Sequence, residues 1–346
     1  MSFEKYINKG LTGLANLGNT CYINSCLQIL SHTYELNEFL NNPLYKKKLK
    51  HQYESALIIE WDNLRTLMWS ENCTISPGKF INTVQKLSHL KGADLFAGYS
   101  QNDLPEFLLF IIDCFHVSLS REVNMNITGT TENVVDDMAI KCFEMIKKMY
   151  AKEYSEIWNM FYGIHVSQII SLDNGEVLSS SPEPYFMINL SIPTNNKSPS
   201  LIECFDLYVE GELLNDENAW FNEKTNQKQN VQKKISYWSL PTILVIDIKR
   251  FNAQNRKNQI LVTFPLENLD LSKYVIGYKK NSYIYDLYGI CNHSGGVQGG
   301  HYTAFVKNAN GKWYEFNDTI VREIENIDYL NSSKAYCFFY RKKSVE

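Results

Sequence analysis

No two of the eight cysteines stand in a CxxC pair. That removes zinc ribbons and dithiol redox motifs from consideration. No apolar run approaches the length of a membrane-spanning helix, and Met1 to Gly10 hold no apolar core of a secretory signal. The expected setting is intracellular, cytoplasmic or nuclear, with a reducing milieu and free thiols. Neither sign of charge dominates: 34 Lys and Arg stand against 38 Asp and Glu, a formal net charge of −4. This balance argues against a general nucleic-acid binder, while a local basic patch stays open. Internal repeats are absent. With 44% hydrophobic and 21% charged residues the composition is globular, not disordered. At 346 residues, length alone allows about two domains.

The most informative stretch runs from Gly13 to Ser25. A loop with Gly13 and Gly18 leads into a helical pattern in which Ile23, Cys26, Leu27 and Leu30 recur at i, i+3, i+4 and i+7. Asn19 or Thr20 is placed to cap that helix. Cys21 then sits in its first turn, off the apolar face, where open backbone N–H groups and the positive dipole end favour a thiolate. Asn16, five residues upstream, is placed to donate an amide N–H to the same spot. Cys26, on the core face, reads as a structural cysteine.

Further helices are expected over 21–40, 51–70, 78–90, about 102–119 and 133–150. Val134, Met138, Cys142, Met145 and Met149 form a core stripe on the last. Lys46, Lys47, Lys48 and Lys50 read as a solvated face. Near Phe161 the character changes to β-branched and aromatic runs. Ser179 to Pro184 and Pro193 to Pro199 read as loops. The acidic residues from Glu203 to Glu223 read as solvated surface, open to a basic partner. Strands are expected at Leu240 to Phe251 and at about 284–291, 300–307, 312–317 and 335–341. Helices first and sheet second make the fold class α+β.

His301 and Asn317 lie on two strands joined through Asn308-Ala309-Asn310-Gly311. A two-residue turn at Asn310-Gly311 would place them on opposite faces. A three-residue loop with Gly311 in the left-handed conformation places them on one face, where Asn317 can orient the ring. A cysteine at a helix N-terminus, a histidine on a strand and a downstream amide form a Cys-His-Asn arrangement for nucleophilic catalysis.

On these residues the chain resembles the ubiquitin-specific proteases. Gly13 to Ser25 is similar to their cysteine box, and Gly299 to Asp318 to their histidine box. Gln101-Asn102-Asp103 with Glu106-Phe107, Ile248-Lys249-Arg250-Phe251, and Tyr288 through His293-Ser294-Gly295 agree as well. The resemblance runs from Gly13 to about Arg341 and thins between roughly 116 and 240.

The resemblance implies a papain-like cysteine peptidase fold with thumb, palm and fingers. Over 1–346 it implies one catalytic domain: a mainly helical thumb over 1–160, fingers over 161–240 and a mainly β palm over 241–346. Cys21 would be the nucleophile, His301 the base, Asn317 the orienting residue, Asn16 an oxyanion donor and Asp318 a helper. Gln101, Asp103, Gly299, Gly300, Tyr302 and His293 would bind the ubiquitin tail. Within this group Asp103 would meet an arginine, and Gly299, Gly300 and Tyr302 would line the channel for the terminal Gly-Gly. Pro105 departs from the usual pattern, and first-turn proline is tolerable.

The fingers depart further. By the resemblance, Ser171 to Val177 and Phe221 to Lys224 would be the counterparts of the zinc-binding pairs in many members, and neither has cysteine. No metal or other cofactor is expected. Trp220, Phe221, Tyr237, Trp238, Leu213 and Leu214 are the candidates to hold the fingers by burial instead.

The implied activity is hydrolysis after the C-terminal glycine of ubiquitin, through a thioester. The alternatives are a catalytically weak ubiquitin-binding module and a hydrolase for another ubiquitin-like modifier. Expected partners are ubiquitin and ubiquitinated proteins, with no nucleic acid and no membrane, and the chain is expected to be a monomer. No separate targeting or ubiquitin-binding domain is expected in the ends.

Overall fold

The change of character near Phe161 divides the fold. The computed structural model describes residues 3–92, 94–98, 100–296 and 299–344. Its first half supplies α1 (Cys21–Ser31), α2 (Tyr34–Asn41), α3 (Glu54–Ser70), α4 (Gly78–Leu90), α5 (Leu104–Leu119), α6 (Val134–Tyr150) and α7 (Glu156–Phe161). Among these, β1 (Gly13–Leu14) and β2 (Thr74–Ile75) pair in parallel.

The second half begins with β3 (Gly163–Ser171), β4 (Val177–Tyr185) and β5 (Met187–Leu190). It continues through α8 (Leu201–Glu210), β6 (Glu212–Leu214), β7 (Trp220–Asn222), β8 (Gln227–Gln229), β9 (Val231–Ser239) and β10 (Ile243–Ile248). Then come β11 (Leu269–Asp270), β12 (Ile284–Gly296), β13 (Gly299–Lys307), β14 (Trp313–Asn317), β15 (Ile320–Ile324) and β16 (Ala335–Lys342).

The large sheet has the order β15-β14-β13-β12-β16-β10-β5, with β11 against β12. Strand β10 shows why its sequence is almost continuously apolar. Ile243 and Val245 enter the core under the helices, while Leu244, Ile246 and Ile248 enter a second core with Leu201, Cys204 and Phe205 of α8. A strand covered on both faces has no solvent face on which to alternate polar residues. A smaller sheet, β4-β3-β9-β6, projects from this body, with the β7–β8 hairpin beyond it.

Helix α1 lies between the helical half and the sheet, and all its residues are buried. The apolar stripe expected on one face is thus part of a helix enclosed all round. Gly289 on β12 makes room for it: a Cβ there would lie 3.0 Å from Ile29 Cγ2. The helix expected over 21–40 is broken at His32-Thr33. There His32 Nδ1 bonds the Gln28 carbonyl at 2.8 Å and Thr33 Oγ1 donates to the Ile29 carbonyl at 3.1 Å. These side chains take up the last carbonyls of α1, and a new helix starts at Tyr34.

Several expectations need correction. Helix α5 begins at Leu104, so Asp103 is its N-cap residue and not a first-turn residue. Ser179 to Pro184 is not a loop but part of β4. Its prolines fit because β4 is an edge strand. Helix α8 was not expected, although Ser200 and Glu203 form a capping box that announces it. In the fingers Tyr237 and Trp238 are buried as expected, whereas Phe221 and Leu213 are 50% and 58% exposed. Short strands at a sheet margin offer no second layer to bury them. Val134, at the start of the α6 stripe, is also exposed.

The β13–β14 connection is the three-residue form. Phe305 faces Glu315 and Lys307 faces Trp313, Gly311 N–H donates to the Asn308 carbonyl at 2.9 Å, and Gly311 has φ +82°. A residue with a Cβ would be strained there, though the Cβ itself would meet nothing within 4 Å. At Gly13 a Cβ would lie 2.3 Å from the backbone oxygen of Thr319. We therefore expect Gly311→Ala to cost about 1–2 kcal/mol in urea unfolding, the usual cost of a left-handed residue. Gly13→Ala should cost more, because backbone must move. Equal or reversed costs would contradict this placement.

Candidate active site

Cys21 opens α1 and is 3% exposed. Thr20 is the N-cap residue, but its hydroxyl makes no cap bond. It accepts from Leu17 N–H at 2.9 Å and donates to Asn16 Oδ1 at 3.2 Å. The expected capping is therefore replaced by loop bracing, and the N–H groups of Cys21 and Tyr22 stay turned to the sulfur. Burial pushes the thiol pKa up, and the backbone N–H of Tyr302 opposes the rise. The Asp318 charge adds to the rise, and the N–H groups of Tyr22 and Cys21 again oppose it. Dipole and N–H groups alone would favour the thiolate, as the sequence suggested. Burial outweighs them here.

The contact with Tyr302 N–H brings β13 to the sulfur, one residue from His301. His301 Nε2–H donates to Asn317 Oδ1 at 2.7 Å. An amide oxygen only accepts, so the neutral ring held this way carries its lone pair on Nδ1.

Asp318, in the turn after β14, ties the two halves together. Its carbonyl accepts from Leu14 N–H at 2.8 Å. Its carboxylate accepts from Asn24 Nδ2 at 2.8 Å and Asn16 Nδ2 at 3.0 Å. Asn16 Oδ1 in turn accepts from Gly18 N–H and Thr20 N–H, at 3.0 and 3.2 Å. The Asn16 amide is thus fixed on its oxygen and on one N–H. Among the described residues its second N–H is unspent.

Beside this lies a cleft lined by Gln101, Asp103, Phe251, His293, Tyr302 and Tyr336, among others. Gln101 grips the backbone of Gly300 from both sides: Gly300 N–H donates to Oε1 at 2.7 Å, and Nε2 donates to the Gly300 carbonyl at 2.6 Å. A Cβ on Gly300 would lie 2.3 Å from His293 Nε2, whereas one on Gly299 meets nothing within 4 Å. Crowding within the chain demands glycine at Gly300 and not at Gly299. His293 is 3% exposed, lines the cleft and stands behind Gly300. Tyr336 donates to both Asp103 oxygens at 3.0 and 3.1 Å, and Tyr302 reaches Oδ1 at 3.5 Å. Burial raises the Asp103 pKa to about 6 against these hydroxyls.

The sequence matches the family described as Ubiquitin carboxyl-terminal hydrolase over residues 12–340. The chain belongs to the ubiquitin carboxyl-terminal hydrolase family. Ubiquitin carboxyl-terminal hydrolase 2 of Homo sapiens is 33% identical over 348 residues, covering 97% of this chain and 56% of that protein. Ubiquitin carboxyl-terminal hydrolase 21 of Homo sapiens is 30% identical over 362 residues, covering 97% and 62%. The chain thus spans little more than half the length of these relatives. A chain of the SAGA DUB module bound to monoubiquitin superposes with a TM-score of 0.73 at 25% identity, covering 100% of this chain and 71% of that one. The fold is the papain-like α+β fold of the family, with thumb, palm and fingers.

The two stretches Ser171 to Val177 and Phe221 to Lys224 form polar turns without cysteine. Ser171 N–H donates to the Glu176 carbonyl at 2.9 Å, and Asn222 Nδ2 donates to Gln229 Oε1 at 2.7 Å. Cys204 is buried on α8 in the second core, away from both turns. Among the described residues no group of three or more His, Cys, Asp or Glu is close enough to hold a metal.

Sequence reasoning missed Asn24, Asn102 and Asp247. Asn24 lies three residues after Cys21, a polar residue in an apolar helix, and that was its only signal. Asn102 Nδ2 donates to Tyr22 O–H at 3.1 Å and so braces the residue after Cys21. Asp247 interrupts the apolar run of β10, and its Oδ1 is buried without a partner among the described residues. Burial first, and then the Asp103 charge, raises its pKa to about 7.

Both raised carboxyls hold protons that the unfolded chain has already lost. The folded state binds more protons from about pH 4 to 7, and stability falls as pH rises through that window. Asp247→Asn removes the buried charge. Its melting temperature should exceed the parent's at about pH 8 and match it near pH 4.5. A lower melting temperature at pH 8 would contradict this account.

Proposed function

We propose that this protein is a cysteine deubiquitinase that hydrolyses the peptide or isopeptide bond after the C-terminal glycine of ubiquitin. The observation that carries the reading is the His301–Asn317 bond of 2.7 Å, with Tyr302 N–H against the Cys21 sulfur. It supports a base with a free Nδ1 beside the nucleophile. Residues 1–346 would form one catalytic domain with the thumb, fingers and palm divided at about 160 and 240. Residues 1–2, 93, 99, 297–298 and 345–346 of it lie outside the described residues. Ubiquitin and its conjugates are the substrates, and a single copy of the chain suffices.

Burial disfavours the Cys21 thiolate, so the thiol proton is left for a base to remove. His301 Nδ1 removes it as sulfur attacks the glycine carbonyl carbon. The oxyanion accepts from the second Asn16 N–H and from the Cys21 backbone N–H. As the C–N bond breaks, His301 returns the proton to the departing lysine amine. A thioester remains on Cys21. His301 then takes a proton from water, hydroxide adds to the thioester, and the C–S bond breaks. His301 returns that proton to the departing sulfur, which restores the thiol, and the released carboxylic acid of ubiquitin gives its own proton to water. Asn317 carries no charge, so it orients the ring without stabilising the imidazolium by charge.

The cleft is matched to a narrow, cationic tail. Gly300, held by Gln101 and backed by His293, would wall the path of the terminal glycines, and Asp103 would meet an arginine. Binding should weaken as pH falls through about 6, where Asp103 takes up its proton.

Steady-state kinetics on a fluorogenic ubiquitin C-terminal amide test the assignment. Cys21→Ser should abolish turnover and keep ubiquitin binding, whereas Cys26→Ala should lower stability with little effect on kcat. Asn16→Ala should lower kcat by on the order of 10²–10³ with KM little changed. Asp318→Ala should move kcat the same way by releasing the amide. An unchanged kcat in Asn16→Ala would contradict the oxyanion role.

A further inference from the structure

Lys257 lies on the loop after β10, in an isolated antiparallel bridge with Phe251. Its Nζ reaches across to His293, bonding the ring at Nδ1 at 3.0 Å and donating to the His293 carbonyl. It also lies 6.0 Å from the centroid of the Phe251 ring. An ammonium group has donors only. His293 Nδ1 must therefore present its lone pair, and the ring proton sits on Nε2. That Nε2 edge is the one against Gly300. The ring plane is steadied by Tyr302, with centroids 4.6 Å apart, and by Tyr336 at 5.9 Å.

The loop of Lys257 also carries Asn255, which lines the cleft with Phe251 on one side while His293 and Gly296 line it on another. Lys257 thus spans two segments that share the cleft but are far apart in sequence. We propose that Lys257 is a positioning residue for the tail cleft, holding His293 in its Nε2–H tautomer and tying the lip that carries Asn255 to the wall that carries Gly300. What fills the cleft rests on the deubiquitinase reading; the tautomer and the tie do not.

The charges fit this role. Burial, followed by Arg250 and Lys334, brings the Lys257 pKa down to about 8. Burial, followed by the Lys257 charge, brings the His293 pKa down to about 4. At neutral pH the lysine is charged and the imidazole is neutral. A half-buried ammonium with no carboxylate among these partners is a poor stabiliser of the fold. An apolar side chain of similar length would serve packing as well, so a merely structural role predicts a tolerant site.

The test is Lys257→Met and Lys257→Arg in the full chain. Nitrogen-15 NMR of the free parent should show His293 protonated at Nε2 alone, and Lys257→Met should give a mixture of tautomers. Lys257→Met should hold or raise the melting temperature, raise KM for the ubiquitin amide about tenfold and leave kcat within about twofold. Lys257→Arg, also a pure donor, should restore the tautomer and most of the KM. A parent His293 protonated at Nδ1, or an unchanged tautomer or KM in Lys257→Met, would overturn the proposal. The tautomer is read without substrate. A parent that cleaves no ubiquitin amide would overturn the proposed function and leave the NMR result to decide the tie.

Discussion

The candidate site depends on one carboxylate. Asp318 joins the loop before α1 to the turn after β14 through its carbonyl and both carboxylate oxygens. Cys21 and Asn16 come from the helical half, and His301 and Asn317 from the sheet. The tie sets their relative position at a junction where Gly13 and Thr319 already touch backbone to backbone. A charged acceptor between two amide donors is stronger than a neutral one, and it fixes direction as well as distance. The site is thus assembled by a contact between segments about three hundred residues apart, laid over an enclosed helix.

Around that joint the chain keeps several groups away from their ordinary ionisation. Burial raises the pKa of Cys21, Asp103 and Asp247 and lowers that of His293 and Lys257. Of these, Asp103 and His293 line the cleft itself, and perturbed groups in a cleft mark a functional site more often than a packed core. They also cost stability, which the two apolar cores on either side of β10 offset. The wall at Gly300 is as tightly filled: the His293 ring and the Ser294 carbonyl leave no room for a Cβ, and Gln101 holds the Gly300 backbone.

What was legible followed local rules. The parity of His301 and Asn317 could be read because strands alternate strictly and Gly311 permits the loop that keeps both on one face. Cys21 could be told from Cys26 by helical period, although both proved buried. The capping box at Ser200 and Glu203 was open to view, and α8 was overlooked because the surrounding residues read as acidic surface. Other features had no local signal. The break at His32-Thr33 interrupts a pattern that continues on both sides. The prolines of β4 look like a loop until the strand is known to lie at an edge. Asp318, Asp247 and Lys257 take their meaning from partners distant in sequence.

The central claim is that Cys21 alone among eight cysteines is activated towards the ubiquitin tail. It is tested most directly by ubiquitin carrying a C-terminal electrophile, with the adduct located by peptide mass spectrometry. The account predicts one adduct, on Cys21, despite its burial. An adduct on the exposed Cys73, or none in folded protein, would contradict it.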